Sequence, residues 1–217
     1  MPDTEKIRAA VFARAASGET LYAREAVLDV IDERSHDTVI STGQWATIRH
    51  LVDWIDRANG RTPHEVAMRI LKITEENGEV ATAHMAMPGQ YSRADVADEL
   101  CDVMLSAAVA LVTVAGDTAE DLLAVQWADV RRDTRNFTTC FYEIVASIGR
   151  AARTYIGMTG QNPRKGVTHT REDVAAELCD VILAAAVALV LVTDGKAEQV
   201  LSAKLAKVAA RAETVGA

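Results

Sequence analysis

Apolar residues recur every three to four positions along most of the chain after residue 41, and this is the period of an amphipathic α-helix. Helix-start motifs precede several of these stretches: T62-P-H-E65, S92-R-A-D95 and T170-R-E-D173. The pattern predicts helices over about 42–58, 63–86, 92–115, 118–132, 170–193 and 196–213. No segment alternates apolar and polar residues as a strand would, so the predicted fold class is all-α.

The longest apolar run is V181-I-L-A-A-A-V-A-L-V-L-V192, which is shorter than a bilayer-spanning helix. Glu177 and Asp180 stand directly before it. A helix that is apolar on all sides suits the centre of a bundle or a subunit interface. The first residues lack a basic region followed by an apolar run. We therefore expect a cytoplasmic protein without a membrane partner.

The chain also repeats itself. The segment 96–114 returns as 174–192 with 15 of 19 residues identical. Upstream, M87-P-G-Q90 returns as M158-T-G-Q161, at an offset of 71 instead of 78, so the second copy has about seven additional residues around N162-P-R-K-G-V-T168. Such self-similarity predicts a tandem duplication.

The duplication predicts three parts. Repeat 1 covers residues 42–132, and repeat 2 covers residues 133–217. We expect the two repeats to pair as an intramolecular pseudodimer, with a homodimer of whole chains left open. Residues 1–41 contain two plausible helices, I7–R14 and Y22–D32, with no counterpart elsewhere, and form a helical arm of unknown role.

The net charge of −8 argues against binding a nucleic-acid polymer, because a phosphate backbone needs clustered Lys and Arg. The three cysteines form no CxxC motif, so the sequence indicates neither a zinc site nor a disulfide framework.

Repeat 1 concentrates carboxylates on two successive helices. Glu75, Glu76 and Glu79 lie three or four residues apart and share one helical face. Glu99 and Asp102 do the same on the next helix. If these helices pack antiparallel, the acidic groups meet, which is strongly unfavourable unless a cation offsets the repulsion. Oxygen-only ligands suit Mg²⁺ or Mn²⁺.

Two alternatives compete with this interpretation. An E-E-x-x-E motif alone is common on a solvated helix face. A di-iron bundle would need E-x-x-H on two helices, and the chain has this spacing only from Glu33 to His36, outside the repeats.

The combination E75-E-N-G-E79 and E99-L-C-D102 resembles the E-E-x-x-E…E-x-x-D signature of the MazG-like all-α nucleotide pyrophosphohydrolases. R69-I-L-K72 is also similar to family members, and the resemblance covers about residues 42–213. It implies hydrolysis of a nucleoside triphosphate between its α and β phosphates, yielding a monophosphate and pyrophosphate. It further implies that Glu76, Glu79, Glu99 and Asp102 bind Mg²⁺. Glu75 and Glu76 are then the catalytic candidates, with Glu75 orienting the attacking water or completing the metal shell.

Repeat 2 has lost the acidic cluster. At the offset of 71, Glu75, Glu76 and Glu79 correspond to Ala146, Ser147 and Arg150, whereas Glu177 and Asp180 are retained. Arg150 is a candidate to pair with Glu177 and Asp180 in place of the metal's charge.

Repeat 2 has instead gained basic residues. Its loop N162-P-R-K-G166 resembles one in some actinobacterial-type MazG-like proteins, and Lys204 and Lys207 stand where repeat 1 has Gln126 and Asp129. One hypothesis is a composite site, with metal held by repeat 1 and phosphate bound by repeat 2. The substrate-binding candidates are Lys72, Arg164, Lys165 and Lys204. The alternative is that Arg164 and Lys165 belong to a solvated loop.

The sequence thus predicts a Mg²⁺-dependent nucleoside triphosphate pyrophosphohydrolase built as a tandem helical bundle. A family member that binds nucleotide or a protein partner without turnover is the alternative, and a purely structural bundle is the third. No segment identifies a base-reading pocket.

Overall fold

The computed structural model describes residues 39–86, 92–130 and 136–215, and these are mostly helical, with no strand among them. This confirms the predicted all-α class. The helices are α1 Thr42–Asn59, α2 Pro63–Met85, α3 Arg93–Ala115, α4 Ala119–Val130, α5 Phe137–Met158, α6 Arg171–Thr193 and α7 Ala197–Val215, with a 3-10 turn at Gly116–Thr118 between α3 and α4. The predicted helices I7–R14 and Y22–D32, the Glu33–His36 pair and the M87-P-G-Q90 motif lie outside the described residues.

The helix starts follow the predicted caps. Ser92 and Thr170 each form a complete capping box, with the side chain of Asp95 or Asp173 bonded back to the cap residue's backbone N–H. Thr62 accepts a hydrogen bond from the backbone of Glu65 before Pro63 opens α2. Ser41 forms a complete capping box at the start of α1, with Gln44 as the residue that bonds back to it.

Helices α3 and α6 form the centre of the bundle and are buried along most of their length. The Arg93 guanidinium donates to the carbonyl oxygens of Leu191 at 2.8 Å and Val192 at 3.2 Å. Because Arg93 begins α3 and Leu191 lies in the last turn of α6, the two helices run antiparallel. Helix α2 packs on α3, and α5 packs on α6.

Two helical stretches among the described residues, Arg93–Trp127 and Arg171–Thr193, are long and apolar enough to cross a membrane. However, 72% and 83% of their apolar windows are buried inside the protein. Packing between helices therefore accounts for their apolar composition without a membrane.

Helices α2 and α5 also run antiparallel. The hydroxyl of Tyr155 donates to the carbonyl oxygen of Pro63 at 2.5 Å, which joins the end of α5 to the start of α2. At the other end, the His84 ring centroid lies 4.5 Å from that of Phe137. The α5–α6 connection therefore lies at the end of the bundle where α2 begins.

The last helix of each repeat contacts the central helix of the other repeat. Helix α7 packs against α3, and α4 packs against α6. Helix α1 covers this arrangement, with Gln44 Nε2 donating to Ser202 Oγ of α7 at 3.0 Å and Arg49 paired with Glu120 of α4 at 3.2 Å. The pseudodimer itself remains a prediction, although the helices of the two repeats follow one another in the same order.

A buried arginine ties the first three helices together. Arg69 of α2 is 7% exposed, and its guanidinium donates to Asp56 Oδ1 of α1 and to Thr113 Oγ1 of α3, both at 2.6 Å. Asp56 also accepts from Arg61. Burial alone would raise the pKa of Asp56, but the hydrogen bonds from Arg61 and Arg69 outweigh it and lower the pKa below its ordinary value.

We predict that Asp56→Asn lowers the free energy of unfolding by about 3 kcal/mol, because it leaves the buried Arg69 guanidinium without its anionic partner. Urea denaturation measures this change. Asp53→Asn removes an exposed carboxylate from the same helix and is expected to change stability by less than about 0.5 kcal/mol. Equal effects of the two substitutions would contradict the assigned role of Arg69.

Candidate metal centre

Helices α2 and α3 bring together three of the four predicted metal ligands. Glu76 and Glu79 come from α2 and Glu99 from α3, and one carboxylate oxygen from each lies within 4.8 Å of the others. Glu76 is buried, Glu99 is half-buried and Glu79 is exposed, so the group opens to solvent on one side. We call these three residues the carboxylate cluster.

The carboxylate cluster lacks sufficient positive charge from the protein. Burial, the charges of Glu79 and Asp102 and a hydrogen bond with Glu79 raise the pKa of Glu99 to about 7, and Lys204 offsets only part of this effect. Burial also raises the pKa of Glu76, although Lys72 opposes the shift. Oxygen-only donors at short range, in a place where ionisation is disfavoured without a cation, fit a hard divalent ion such as Mg²⁺ or Mn²⁺.

Lys72 lies at the rim of the carboxylate cluster. Its ammonium is 2.7 Å from Glu75 Oε2 and 2.8 Å from Glu76 Oε1, and about half of its side chain is exposed. Glu75 is more exposed still and is not part of the cluster. Of the predicted phosphate-binding residues, Lys72 therefore contacts the carboxylate cluster itself, through Glu76.

Asp102, the fourth predicted ligand, is held by Lys204 instead. The Lys204 ammonium donates to Asp102 Oδ2, and it donates to Asp98 Oδ2 at 2.7 Å. Lys204 is 8% exposed, and although burial lowers its pKa, the bonds to Asp102 and Asp98 outweigh this and raise it. Helix α7 of repeat 2 thus contacts the acidic residues of α3, but Lys204 is bonded to carboxylates, and its role in binding phosphate stays a prediction.

Asp98 was not among the predicted site residues. A signal was present, because Asp98 is one of the four positions that differ between the two 19-residue segments and corresponds to Ala176. Its partner Lys204 also differs from its counterpart, Gln126. The contact between α3 and α7 thus has both charged residues of the ion pair, whereas the equivalent residues of α6 and α4, Ala176 and Gln126, are both uncharged.

In repeat 2 an arginine occupies the place of the carboxylate cluster. Arg150 Nε lies 2.8 Å from Glu177 Oε2 and Arg150 Nη2 lies 3.3 Å from Asp180 Oδ2. The guanidinium also donates to Ser147 Oγ at 2.8 Å. The predicted pairing of Arg150 with the two retained acids is confirmed, and a protein cation supplies the charge there.

The structure does not bring Arg164 and Lys165 to the carboxylate cluster. Both are exposed in the α5–α6 connection, where Asn162 organises the backbone by accepting from Arg164 N at 3.1 Å and Lys165 N at 3.0 Å. That connection lies at the Pro63 end of α2, and Glu76 lies thirteen residues further along, or about 20 Å at 1.5 Å per residue. A composite site using this loop is not assembled within one chain, because α2 and α5 are antiparallel.

Comparison with family models, curated proteins and solved structures finds no match.

We predict that Arg150→Met lowers the free energy of unfolding by about 2–4 kcal/mol, because Glu177 is 2% exposed and would lose its ion pair with Arg150. Denaturant unfolding measures the loss. Arg153→Met is the matched control, since Arg153 is exposed on the same helix and is expected to have little effect. A stable Arg150→Met variant would show that the ion pair does not replace a metal's charge.

The raised pKa of Glu99 predicts a pH-dependent stability without metal. The pKa of Glu99 in the folded protein, about 7, exceeds the ordinary value of 4.5. The stabilisation that the folded protein gains from protonated Glu99 is therefore fully present below pH 4.5 and is lost as the pH rises through 7. Glu99→Gln should therefore raise the melting temperature by roughly 2–6 °C near pH 8 with a chelator, and by much less near pH 5. Thermal unfolding at both pH values checks this, and an equal shift at both would contradict it.

Proposed function

We propose that the protein is a divalent-ion-dependent nucleoside triphosphate pyrophosphohydrolase of the MazG-like type, which releases pyrophosphate and a nucleoside monophosphate. The observation that carries the proposal is the carboxylate cluster, because Glu76, Glu79 and Glu99 come from two separate helices and converge within 4.8 Å. These are three of the five acidic positions of the E-E-x-x-E…E-x-x-D pattern. Because Glu76 is buried and Glu99 is half-buried, the cluster differs from a fully solvated acidic face.

In this proposal Glu76, Glu79 and Glu99 hold Mg²⁺ or Mn²⁺. The bound ion would polarise phosphate oxygens and lower the pKa of a water molecule. The exposed side of the cluster, at Glu79, is where the phosphate chain would enter.

Lys72 is the residue proposed to bind phosphate. Its ammonium is shared between Glu75 and Glu76 and its side chain is half-exposed, so an incoming phosphate could replace the exposed Glu75 as its partner. That exchange would free Glu75 to orient the attacking water, the role implied for it by the resemblance. Removal of noncanonical or excess nucleoside triphosphates in the cytoplasm would be the corresponding cellular role.

A second candidate function is nucleotide or partner binding without turnover. The contact between Lys204 and Asp102 favours it, because the fourth ligand of the predicted set is bonded to a protein cation. Metal-dependent thermal stabilisation without pyrophosphate release would identify this function.

We predict that Glu76→Gln lowers the rate of pyrophosphate release at least about 100-fold, because it removes a charged oxygen from the ion's shell. The measurement is a pyrophosphate-release assay with Mg²⁺ over a panel of nucleoside and deoxynucleoside triphosphates. Lys72→Met should mainly raise KM, by about tenfold, because it removes a charged contact to the substrate.

Two variants serve as controls. Asp121→Asn removes an exposed carboxylate from α4, and Lys165→Met removes an exposed cation from the distant loop. Both should keep the wild-type rate. A wild-type protein that releases no pyrophosphate from any nucleotide of the panel would sink the proposed function.

A further inference from the structure

Lys204 is a buried cation that repeat 2 places between two carboxylates of repeat 1. It is carried by α7, and its ammonium bonds to Asp98 and Asp102, which lie one turn apart on α3. Its side chain is 7% exposed. Two anionic partners and almost complete burial fix the position of this ammonium.

Asp102 borders the carboxylate cluster on the same face of α3 as Glu99, three residues away. Burial is the main cause that raises the pKa values of Glu76, Glu99 and Asp102; the charge of Asp102 adds to the effect on Glu76 and Glu99, and the charge of Glu79 adds to that on Asp102. The four carboxylates therefore share one electrostatic environment. Three converge on a common point, whereas Asp102 is bonded to Lys204.

In repeat 2 the equivalent aspartate has a different cationic partner. Asp180, the counterpart of Asp102, is paired with Arg150 of its own repeat. The residue equivalent to Lys204 is Gln126, which is uncharged. Repeat 2 therefore supplies a cation to the repeat that retains the glutamates, where Asp102 would otherwise be a fourth uncompensated carboxylate.

We propose that Lys204 is a positioning residue that holds Asp102 out of the carboxylate cluster and thereby sets the affinity of the site for a divalent cation. Lys204 and the ion compete for Asp102. Removing the ammonium releases a ligand and removes one positive charge close to the ion, and both changes strengthen cation binding. This inference rests on the divalent-ion site of the proposed function.

The experiment is a calorimetric titration of the whole chain with Mn²⁺ alone. We expect Lys204→Gln to bind Mn²⁺ at least about tenfold more tightly than the wild-type protein. Glutamine is the residue that the chain itself carries at the equivalent position, 126. Lys207→Gln is the matched control, because Lys207 is exposed on the same helix and lines the same open groove, and it should leave the affinity unchanged.

Two more variants test whether the gain in Mn²⁺ affinity requires loss of the cation at position 204 and whether it requires the carboxylate of Asp102. Lys204→Arg keeps a cation beside Asp102 and should keep the affinity within about threefold of wild type. Adding Asp102→Asn to Lys204→Gln should abolish the gain, since the released ligand is gone. Unchanged or weaker Mn²⁺ binding by Lys204→Gln would overturn the proposal, and so would a tenfold change in Lys204→Arg, which remains informative if Lys204→Gln does not fold.

The outcomes also distinguish this inference from the proposed function. Wild-type protein that binds Mn²⁺ but releases no pyrophosphate overturns the function, and the same titration still tests Lys204. Wild-type turnover with unchanged affinity in Lys204→Gln overturns only the inference. Absence of Mn²⁺ binding in every variant overturns both.

Discussion

Packing α3 against α6 removes the faces of two apolar helices from water, and it also draws in the carboxylates near their first turns. A carboxylate in that position must be protonated or must have a cation beside it, since desolvation opposes its charge. The described residues show both solutions. Arg150 compensates Glu177 and Asp180, and Lys204 compensates Asp98 and Asp102. At Glu99 the compensation is incomplete and its pKa rises to about 7.

The two repeats differ in how the charge of these carboxylates is compensated. A glutamate at position 79 and an arginine at position 150 occupy equivalent places, so one substitution changes the sign of the charge facing the next helix. In repeat 2 the charge is balanced by the protein, and Arg150 adds ion pairs to the packing of α5 on α6. In repeat 1 the negative charge of the carboxylate cluster remains unbalanced. This lowers stability, as is common where a protein binds an ion.

The sequence was sufficient to predict the described helices other than α5, Phe137–Met158, which no predicted range covers. It also predicted that Glu76, Glu79 and Glu99 would meet if α2 and α3 packed antiparallel. Periodicity and caps such as Ser92–Asp95 are local, and i, i+3 spacing defines a helical face before any tertiary contact is known. The contacts of Lys204 and the position of the Arg164–Lys165 loop depend on which helix ends lie together. That is a property of the packing of α2, α5 and α7, and no short segment encodes it.

The antiparallel arrangement limits how one half of the protein can assist the other. The α5–α6 connection lies at the Pro63 end of α2, so the basic loop of repeat 2 stays about 20 Å from the carboxylate cluster along α2. Helix α7, by contrast, crosses to α3 and delivers Lys204 to the N-terminal half of that helix. A positive charge acquired on α7 therefore reaches the carboxylates of α3, whereas one acquired in the loop does not reach the carboxylate cluster. The pair formed by Asp98 and Lys204 is the result of the first kind of change, because both charges are missing from the equivalent positions, Ala176 and Gln126.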